Sequence, residues 1–171
     1  MSYSFGWQRD SRDGIKTGTT LKLFQLENYP DSKEFEFTIV KETGRGGSII
    51  TYEVMCQNNG IEEKCFLKEL YPEHICENKN LFRAPDGVSL AVSHGFDEEP
   101  SFEKDFSIID SEVWKSFEQD YQNIKKLRLD VDKAPLFICD AYEIYRNEST
   151  YYVKVPFETN KTLGKHIEET D

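Results

Sequence analysis

The sequence contains few of the residues that build metal sites or redox centres. Its three histidines and four cysteines are scattered, and no two cysteines form a C-x-x-C pair. Zinc sites and thioredoxin-like redox motifs depend on pairs at such short spacing. We therefore expect no metal ligands, and a structural role for Cys56, Cys65, Cys76 and Cys139.

Long apolar runs and an excess of basic residues are also absent. No segment approaches the roughly 18 apolar residues of a membrane span, and the polar N-terminus lacks the apolar core of a secretory signal. With 32 acidic and 21 basic residues, the formal net charge is −11, which repels phosphate backbones and anionic lipids. We therefore expect a cytoplasmic protein that binds neither nucleic acid nor membrane through bulk charge.

Aromatic and acidic residues are abundant instead. The 171 residues include 12 Phe, 9 Tyr and 2 Trp, which is too many for a disordered chain and predicts a compact domain with an aromatic core. The acids are concentrated, since residues 97–120 hold nine acids and two bases, whereas residues 38–72 hold five acids and four bases. An anionic ligand is therefore better tolerated in the second region.

Alternation of apolar and polar residues predicts a series of strands. Residues 35–41 alternate at period two, and Asn58-Asn59-Gly60 is a hairpin signal between two segments rich in β-branched and aromatic residues. This pattern predicts an antiparallel meander over about residues 35–71. The other predicted strands are residues 20–26, 136–145 and 150–155.

A helix is predicted over residues 110–128, where apolar residues recur at three- and four-residue steps. Its apolar arc is about 140° wide, and Asp120 falls inside this arc. The Asp120 carboxylate is therefore expected to face the core, where it needs a cation. The predicted fold class is α+β, a five-stranded antiparallel sheet with one packed helix.

Three features, taken in chain order, match the parts that hold nucleotide phosphates in protein kinases. A glycine-rich turn lets backbone N–H groups face an anion, Lys68 lies in a predicted strand, and Asp120 is the inward helix acid. Each of the first two features alone is more often structural. The turn consists of Gly44, Arg45, Gly46, Gly47 and Ser48.

Residues 35–169 resemble the N-terminal lobe of a bacterial eukaryotic-like serine/threonine protein kinase. The segment Lys68-Glu69-Leu70-Tyr71-Pro72 is similar to the K-E-Y-F-P segment of one group of these kinases. The other similar segments are the glycine-rich turn continued to residue 52, Arg83 with residues 85–87, residues 117–121 as helix C, residues 152–157 as the fifth strand and hinge, and residues 162–163 as the start of helix D.

The resemblance implies a site for ATP. Lys68 would contact the α- and β-phosphates, Asp120 would orient Lys68, and the hinge backbone would bind the adenine. The parent protein would transfer the γ-phosphate to hydroxyls of a protein substrate, with Mg²⁺ held by the C-terminal lobe. The residues expected to line the cofactor site are Gly44, Arg45, Gly46, Gly47, Ser48, Phe66, Val155, Phe157 and Glu158.

Three positions depart from the family pattern, and all three would touch the nucleotide. Ile49 stands where the third glycine belongs, and a β-branched residue does not reach positive φ cheaply. Asp120 replaces a glutamate and has one methylene less of reach. Phe66 replaces a small alanine on the strand face of Lys68 and could fill the adenine slot. These departures keep open a pseudokinase-type interaction domain without productive ATP binding.

The H-R-D and D-F-G motifs of the kinase C-terminal lobe do not occur in the sequence. We therefore expect an inactive fragment, completed by a C-terminal lobe of the same parent chain or by a partner chain. The expected organisation is an N-terminal extension at 1–34, a kinase-like lobe at 35–157 with an acidic insert at 72–110, and the hinge end with the start of helix D at 158–171.

Overall fold

The computed structural model describes residues 10, 12–26, 33–58, 60–72, 81–92, 115–120, 122–123 and 143–157. These residues form eight β-strands, and residues 115–120 and 122–123 are helical. The strands are β1 (Thr20–Gln25), β2 (Glu34–Arg45), β3 (Ile49–Asn58), β4 (Ile61–Leu70), β5 (Leu81–Arg83), β6 (Leu90–Val92), β7 (Glu143–Arg146) and β8 (Tyr151–Pro156).

Six of these strands form a closed antiparallel barrel in the order β1-β2-β3-β4-β8-β7. The barrel closes where β7 pairs with β1, with Phe24 opposite Arg146 and Gln25 opposite Tyr145. Strands β5 and β6 pair only with each other and form a separate hairpin. Closure matters because it leaves the barrel strands without an unpaired edge.

The meander predicted from alternation is confirmed in β2, β3 and β4. Gly60 lies in the turn between β3 and β4 and has a φ of +80°, which glycine reaches without the steric cost of a Cβ atom. The strand predicted at residues 20–26 is also present, as β1. Of the segment predicted as a strand at residues 136–145, only its end lies in the described ranges, where β7 begins at Glu143.

The predicted fold class is wrong. A five-stranded antiparallel sheet with one packed helix is expected, and the structure is a closed six-stranded barrel, with α-helix among the described residues only at 115–120 and 122–123. The sixth strand is β1, which pairs with both β2 and β7. Its alternating Leu21 and Leu23 are fully buried, so their burial favours closure over an open edge.

Alternation also places the core. Side chains that alternate along β1 to β4 point into the barrel, and most of them are apolar or aromatic, with the Glu69 carboxylate among them. Tyr145 makes edge contacts with two rings of β2, Phe35 and Phe37, at centroid distances of 5.3 and 5.0 Å. The largest fully buried side chains are Tyr52, Tyr71, Tyr152, Phe37, Leu21, Leu23, Ile39, Ile50, Leu67, Leu70 and Ile144.

A buried ion pair lies inside this core. The Glu69 carboxylate is fully buried and accepts two hydrogen bonds from Arg83, with Nη1 at 2.7 Å and Nη2 at 2.6 Å. The hydroxyls of Tyr52 and Tyr152 donate to the same carboxylate at 2.9 and 3.2 Å. Burial, together with the charge of Glu69, raises the pKa of both tyrosines, so both stay neutral donors.

The segment before β1 covers this network. The buried Arg12 guanidinium donates to the carbonyl oxygens of Tyr71 and of Gly46, the latter at 2.7 Å, and pairs with Asp10. The Ile15 amide donates to the Tyr52 hydroxyl at 3.1 Å. Arg12 thereby ties the N-terminal segment to the glycine-rich turn and to the end of β4, which fixes both relative to the core.

Candidate functional site

The candidate site lies on the outer surface of the barrel, over β2, β3 and β4. On β4 the side chains of Cys65, Leu67 and Glu69 are buried, so Phe66 and Lys68 point outward between them. The register places Thr51 of β3 opposite Lys68. The other cross-strand pairs of this surface are Glu53 with Phe66, Gly44 with Thr51, and Lys41 with Glu53.

These outward side chains line an open depression of about 450 Å³. Its size is within the range of small-molecule sites. Its lining combines one aromatic ring with two ammonium groups and one carboxylate, so it offers both an apolar surface and positive charge. The lining residues are Lys41, Thr43, Gly44, Thr51, Glu53, Phe66 and Lys68, which we call the outer depression.

Within the outer depression, the charge of Glu53 is already compensated. Its carboxylate lies 2.7 Å from Lys64 Nζ and 3.2 Å from Lys41 Nζ. The ammonium groups of Lys64 and Lys41 hold the pKa of the Glu53 carboxyl below its usual value. Glu53 is therefore an anion that has two cations of its own, and it leaves the remaining lysine of the depression unmatched.

That remaining lysine is Lys68. Its side chain is half-buried, and it forms no hydrogen bond or ion pair with any residue in the ranges that the structure describes. A partly desolvated ammonium without a counter-charge is costly, and an anion at this point would relieve that cost. This unmatched charge is the feature of the depression that suits an anion, and the phosphate-binding role expected of Lys68 stays a prediction.

Asp120 does not behave as expected. It lies in the helical segment at 115–120, but its side chain is exposed, so the prediction that it faces the core is wrong. The described residues show no ion pair between Asp120 and Lys68. The helix contacts the barrel instead through Phe117, whose ring is stacked against Tyr151 at 6.3 Å with an interplanar angle of 8°. Orientation of Lys68 by Asp120 stays a prediction.

The glycine-rich turn is an ordinary strand connection. Gly46 both donates to and accepts from the backbone of Ile49, at 2.8 and 3.3 Å. Arg45 is paired with Glu42 at 2.6 Å and donates to the carbonyl oxygen of Arg12, so its guanidinium is held by the chain itself. Gly44, Gly46 and Gly47 have no positive φ and leave open space where a Cβ atom would stand. This space, rather than backbone freedom, is what the turn offers a ligand.

The predicted adenine region is occupied by two stacked aromatic rings. Phe66 and Phe157 lie with their centroids 5.0 Å apart and nearly parallel, and Lys64 Nζ lies 5.1 Å from the centroid of Phe157. The rings are in direct contact, so a base could not enter between them unless one moved. Val155, opposite Phe66, is buried, and Glu158 lies outside the described residues.

Lys41 and Glu53, two of the three charged residues of the lining, are not among the site residues expected from the sequence. The pairing of β2 with β3 shifts at two irregular positions, between Ile39 and Lys41 and between Glu42 and Gly44, and it sets Lys41 opposite Glu53 and Gly44 opposite Thr51. Simple alternation does not predict such bulges. The alternation of β3 alone would have placed Thr51 and Glu53 on the outward face.

Comparisons with protein-family models, with curated proteins and with solved structures found no match to this chain. The resemblance to a kinase lobe therefore stays a prediction. Among the described residues, no cluster of three or more His, Cys, Asp or Glu side chains could hold a metal ion. No helix in the described ranges has both the length and the hydrophobicity needed to cross a membrane.

Proposed function

We propose that the outer depression binds a nucleoside triphosphate, with its phosphates at Lys68. The observation that carries this proposal is the half-buried Lys68 ammonium, which has no counter-charge among the described residues. Lys41 adds positive charge at the same opening, although Glu53 shares it. The near-neutral balance of residues 38–72 allows an anion to approach this surface despite the net charge of −11.

Different side chains of the outer depression would contact different parts of the nucleotide. Lys68 neutralises phosphate charge, and Thr51, which lies directly across the strand pair, carries a hydroxyl that can hydrogen-bond to the same phosphate. Phe66 offers one ring face to a base, but only after Phe157 has moved from it. The depression thus fits the phosphate part of ATP as it stands, and the base only after a rearrangement.

The sequence resemblance extends the proposal to a reaction. We propose that the chain is the nucleotide-binding part of a bacterial serine/threonine protein kinase that transfers the γ-phosphate of ATP to protein hydroxyls. The H-R-D and D-F-G motifs, which place the catalytic aspartate and Mg²⁺, do not occur in the sequence, so another lobe of the parent or a partner chain supplies them. This chain contributes binding and phosphate neutralisation only.

The same proposal places the protein in the cytoplasm. Cys56 and Cys65 are both unpaired thiols in the barrel core. Free buried thiols are the usual state in a reducing compartment.

A second candidate function is a pseudokinase-type interaction domain that binds no nucleotide. The stacked Phe66 and Phe157 favour it, because together they cover the apolar surface that a base would use. The exposed Asp120 favours it too, since no described carboxylate holds Lys68 in place. The two candidates differ in whether nucleotide binds, which a direct titration measures.

Replacing Lys68 with alanine is expected to weaken binding of ATP·Mg²⁺ by about 10–100-fold, because a charge-assisted phosphate contact contributes about 1.5–3 kcal/mol. Isothermal titration calorimetry of the chain and the variant measures this difference. Lys16→Ala is the matched control, since Lys16 is exposed and lies outside the depression. Equal affinity of the Lys68→Ala and Lys16→Ala variants, or no binding to the unmodified chain at millimolar ATP, would contradict the proposal.

Replacing Phe157 with alanine is expected to raise the affinity for ATP by about tenfold, because a base then stacks on Phe66 without first displacing a ring. Inorganic tripolyphosphate has no base, so its affinity should stay the same in the variant. Parallel titrations with the two ligands separate the base from the phosphates. An unchanged affinity for ATP would show that the Phe66 face takes no part in nucleotide binding.

A further inference from the structure

Two cysteines that are separate in sequence meet inside the barrel. Cys56 lies near the end of β3 and Cys65 in the middle of β4, and their Sγ atoms are 3.8 Å apart. The register sets Cys56 opposite Glu63 and Cys65 opposite Val54, so the two cysteines are diagonal neighbours on one face of the hairpin. Diagonal side chains on one face of a strand pair are within reach of each other.

The surroundings of this pair are polar on one side. Cys56 Sγ donates to the Glu63 carboxylate at 3.9 Å, and Lys154 Nζ lies 3.3 Å from Glu63 and 3.5 Å from Glu143. The side chains of Glu63 and Glu143 are 43% and 40% exposed, so this side of the cysteine pair is in contact with solvent. Cys65 is fully buried beneath Cys56.

This arrangement makes the two thiols unequal. The hydrogen bond that Cys56 accepts from Cys65 lowers the pKa of the Cys56 thiol, and the nearby Lys154 ammonium acts in the same direction. Burial and the Glu63 and Glu143 carboxylates oppose this effect but do not reverse it. Donating that hydrogen bond raises the pKa of the Cys65 thiol, as does its burial. Cys56 is 5% exposed and lies beside the Glu63 carboxylate at the polar end of the barrel, whereas Cys65 is fully buried. Position and pKa therefore both favour Cys56 as the thiol that meets an oxidant first, with Cys65 in place to resolve the product.

We propose that Cys56 and Cys65 are a reversible oxidation site, at which hydrogen peroxide converts the two thiols into an intramolecular disulfide. The Cys56 thiolate attacks one peroxide oxygen, the O–O bond breaks, and the departing hydroxide takes up the thiol proton as water. The Cys65 sulfur then attacks the Cys56 sulfenic acid, the S–O bond breaks, and the second proton leaves with hydroxide as a second water. Two thiols lose two electrons to one peroxide.

The distance between the two sulfur atoms and the low exposure of Cys56 limit which oxidant can react at this site. The sulfur atoms must approach by about 1.8 Å, from 3.8 Å to the roughly 2.0 Å of a disulfide. Because diagonal positions across a strand pair lie about 7–8 Å apart, the backbone of the hairpin must shift locally as the bond forms. Access is limited, since Cys56 is only 5% exposed. The bond would link β3 to β4, the two strands that carry Thr51 and Lys68, but the proposal does not depend on nucleotide binding.

The test is peroxide treatment of the full chain in its folded state, followed by mass spectrometry. We expect a loss of about 2 Da, which dithiothreitol reverses, and a fall from four reactive thiols to two after denaturation. Trypsin cleaves after Lys64, which separates the cysteines into peptides 46–64 and 65–68. These two peptides should be recovered joined by a disulfide.

The matched control removes the other thiols. A Cys76→Ser/Cys139→Ser variant should show the same loss of mass, and a Cys65→Ala variant should stop at the Cys56 sulfenic acid, trapped by a dimedone probe. Circular dichroism checks that each variant folds, and the wild-type peptide map answers the question if one does not. Oxidation of the folded chain that yields only sulfinic acid, a disulfide-linked dimer or an unchanged mass would overturn the proposal.

Discussion

Replacing Arg83 with methionine is expected to lower the free energy of unfolding by about 3–5 kcal/mol, because it leaves the Glu69 carboxylate buried without its cation. Both side chains are nearly inaccessible, with 4% of Arg83 and 0% of Glu69 exposed. Arg83 also donates to the carbonyl oxygens of Val88 at 2.6 Å and of Asp13 at 3.2 Å. The substitution therefore removes a charge partner and leaves these acceptors without their donor.

Chemical unfolding of a double-mutant cycle measures this pair. Glu69→Gln together with Arg83→Met removes both charges, so the double variant should be more stable than the sum of the single effects predicts, by about 0.5–3 kcal/mol. Lys16→Met, at an exposed position, should change stability by less than about 0.5 kcal/mol. Additive effects of the two core substitutions would show that Glu69 and Arg83 do not depend on each other.

The buried acid illustrates what the sequence could and could not reveal. An inward carboxylate requires a cation, and the helical wheel predicts Asp120 as this carboxylate, whereas Asp120 is exposed in the structure. The acid that is buried is Glu69, next to Lys68, and strand alternation places it inward with Leu67. Its partner Arg83 lies on β5, outside the barrel sheet, and no local periodicity relates the two positions.

The barrel also depends on contacts between residues that no local pattern relates. Alternation predicted strands at the positions of β1, β2, β3 and β4, and the Asn-Gly signal located the turn at Gly60, because both depend on residues close in sequence. Closure depends on β1 pairing with β7, whose partners Phe24 and Arg146 are far apart along the chain. Period two tells which face is buried, and it does not identify the neighbouring strand.

In the candidate site too, the features that the sequence predicts are those that depend on residues close together along the chain. That Phe66 and Lys68 share one face of β4 follows from their spacing on the strand. The stack of Phe66 on Phe157 and the pairing of Glu53 with Lys41 and Lys64 join different strands, so they required the three-dimensional register. Lys68 was predictable as a candidate, but its lack of a described counter-charge was not.

Replacing Leu23 with alanine is expected to lower the free energy of unfolding by about 2–5 kcal/mol, because it opens a cavity in the core. Leu23 is fully buried in β1 and lies opposite Phe35 of β2. This substitution tests closure directly, since β1 is the strand that joins β2 to β7. The unfolding midpoint in guanidinium chloride, at unchanged slope, reports the loss.

The neighbouring residue of the same strand provides the control. Lys22 points outward, with 61% of its side chain exposed, and pairs with Glu34 at 3.1 Å. Lys22→Ala should therefore cost less than about 1 kcal/mol, as expected for a surface ion pair. In a closed barrel the two substitutions differ severalfold, because successive side chains of β1 face the core and the solvent. If β1 were instead a loosely attached extension, both substitutions would have the same small effect.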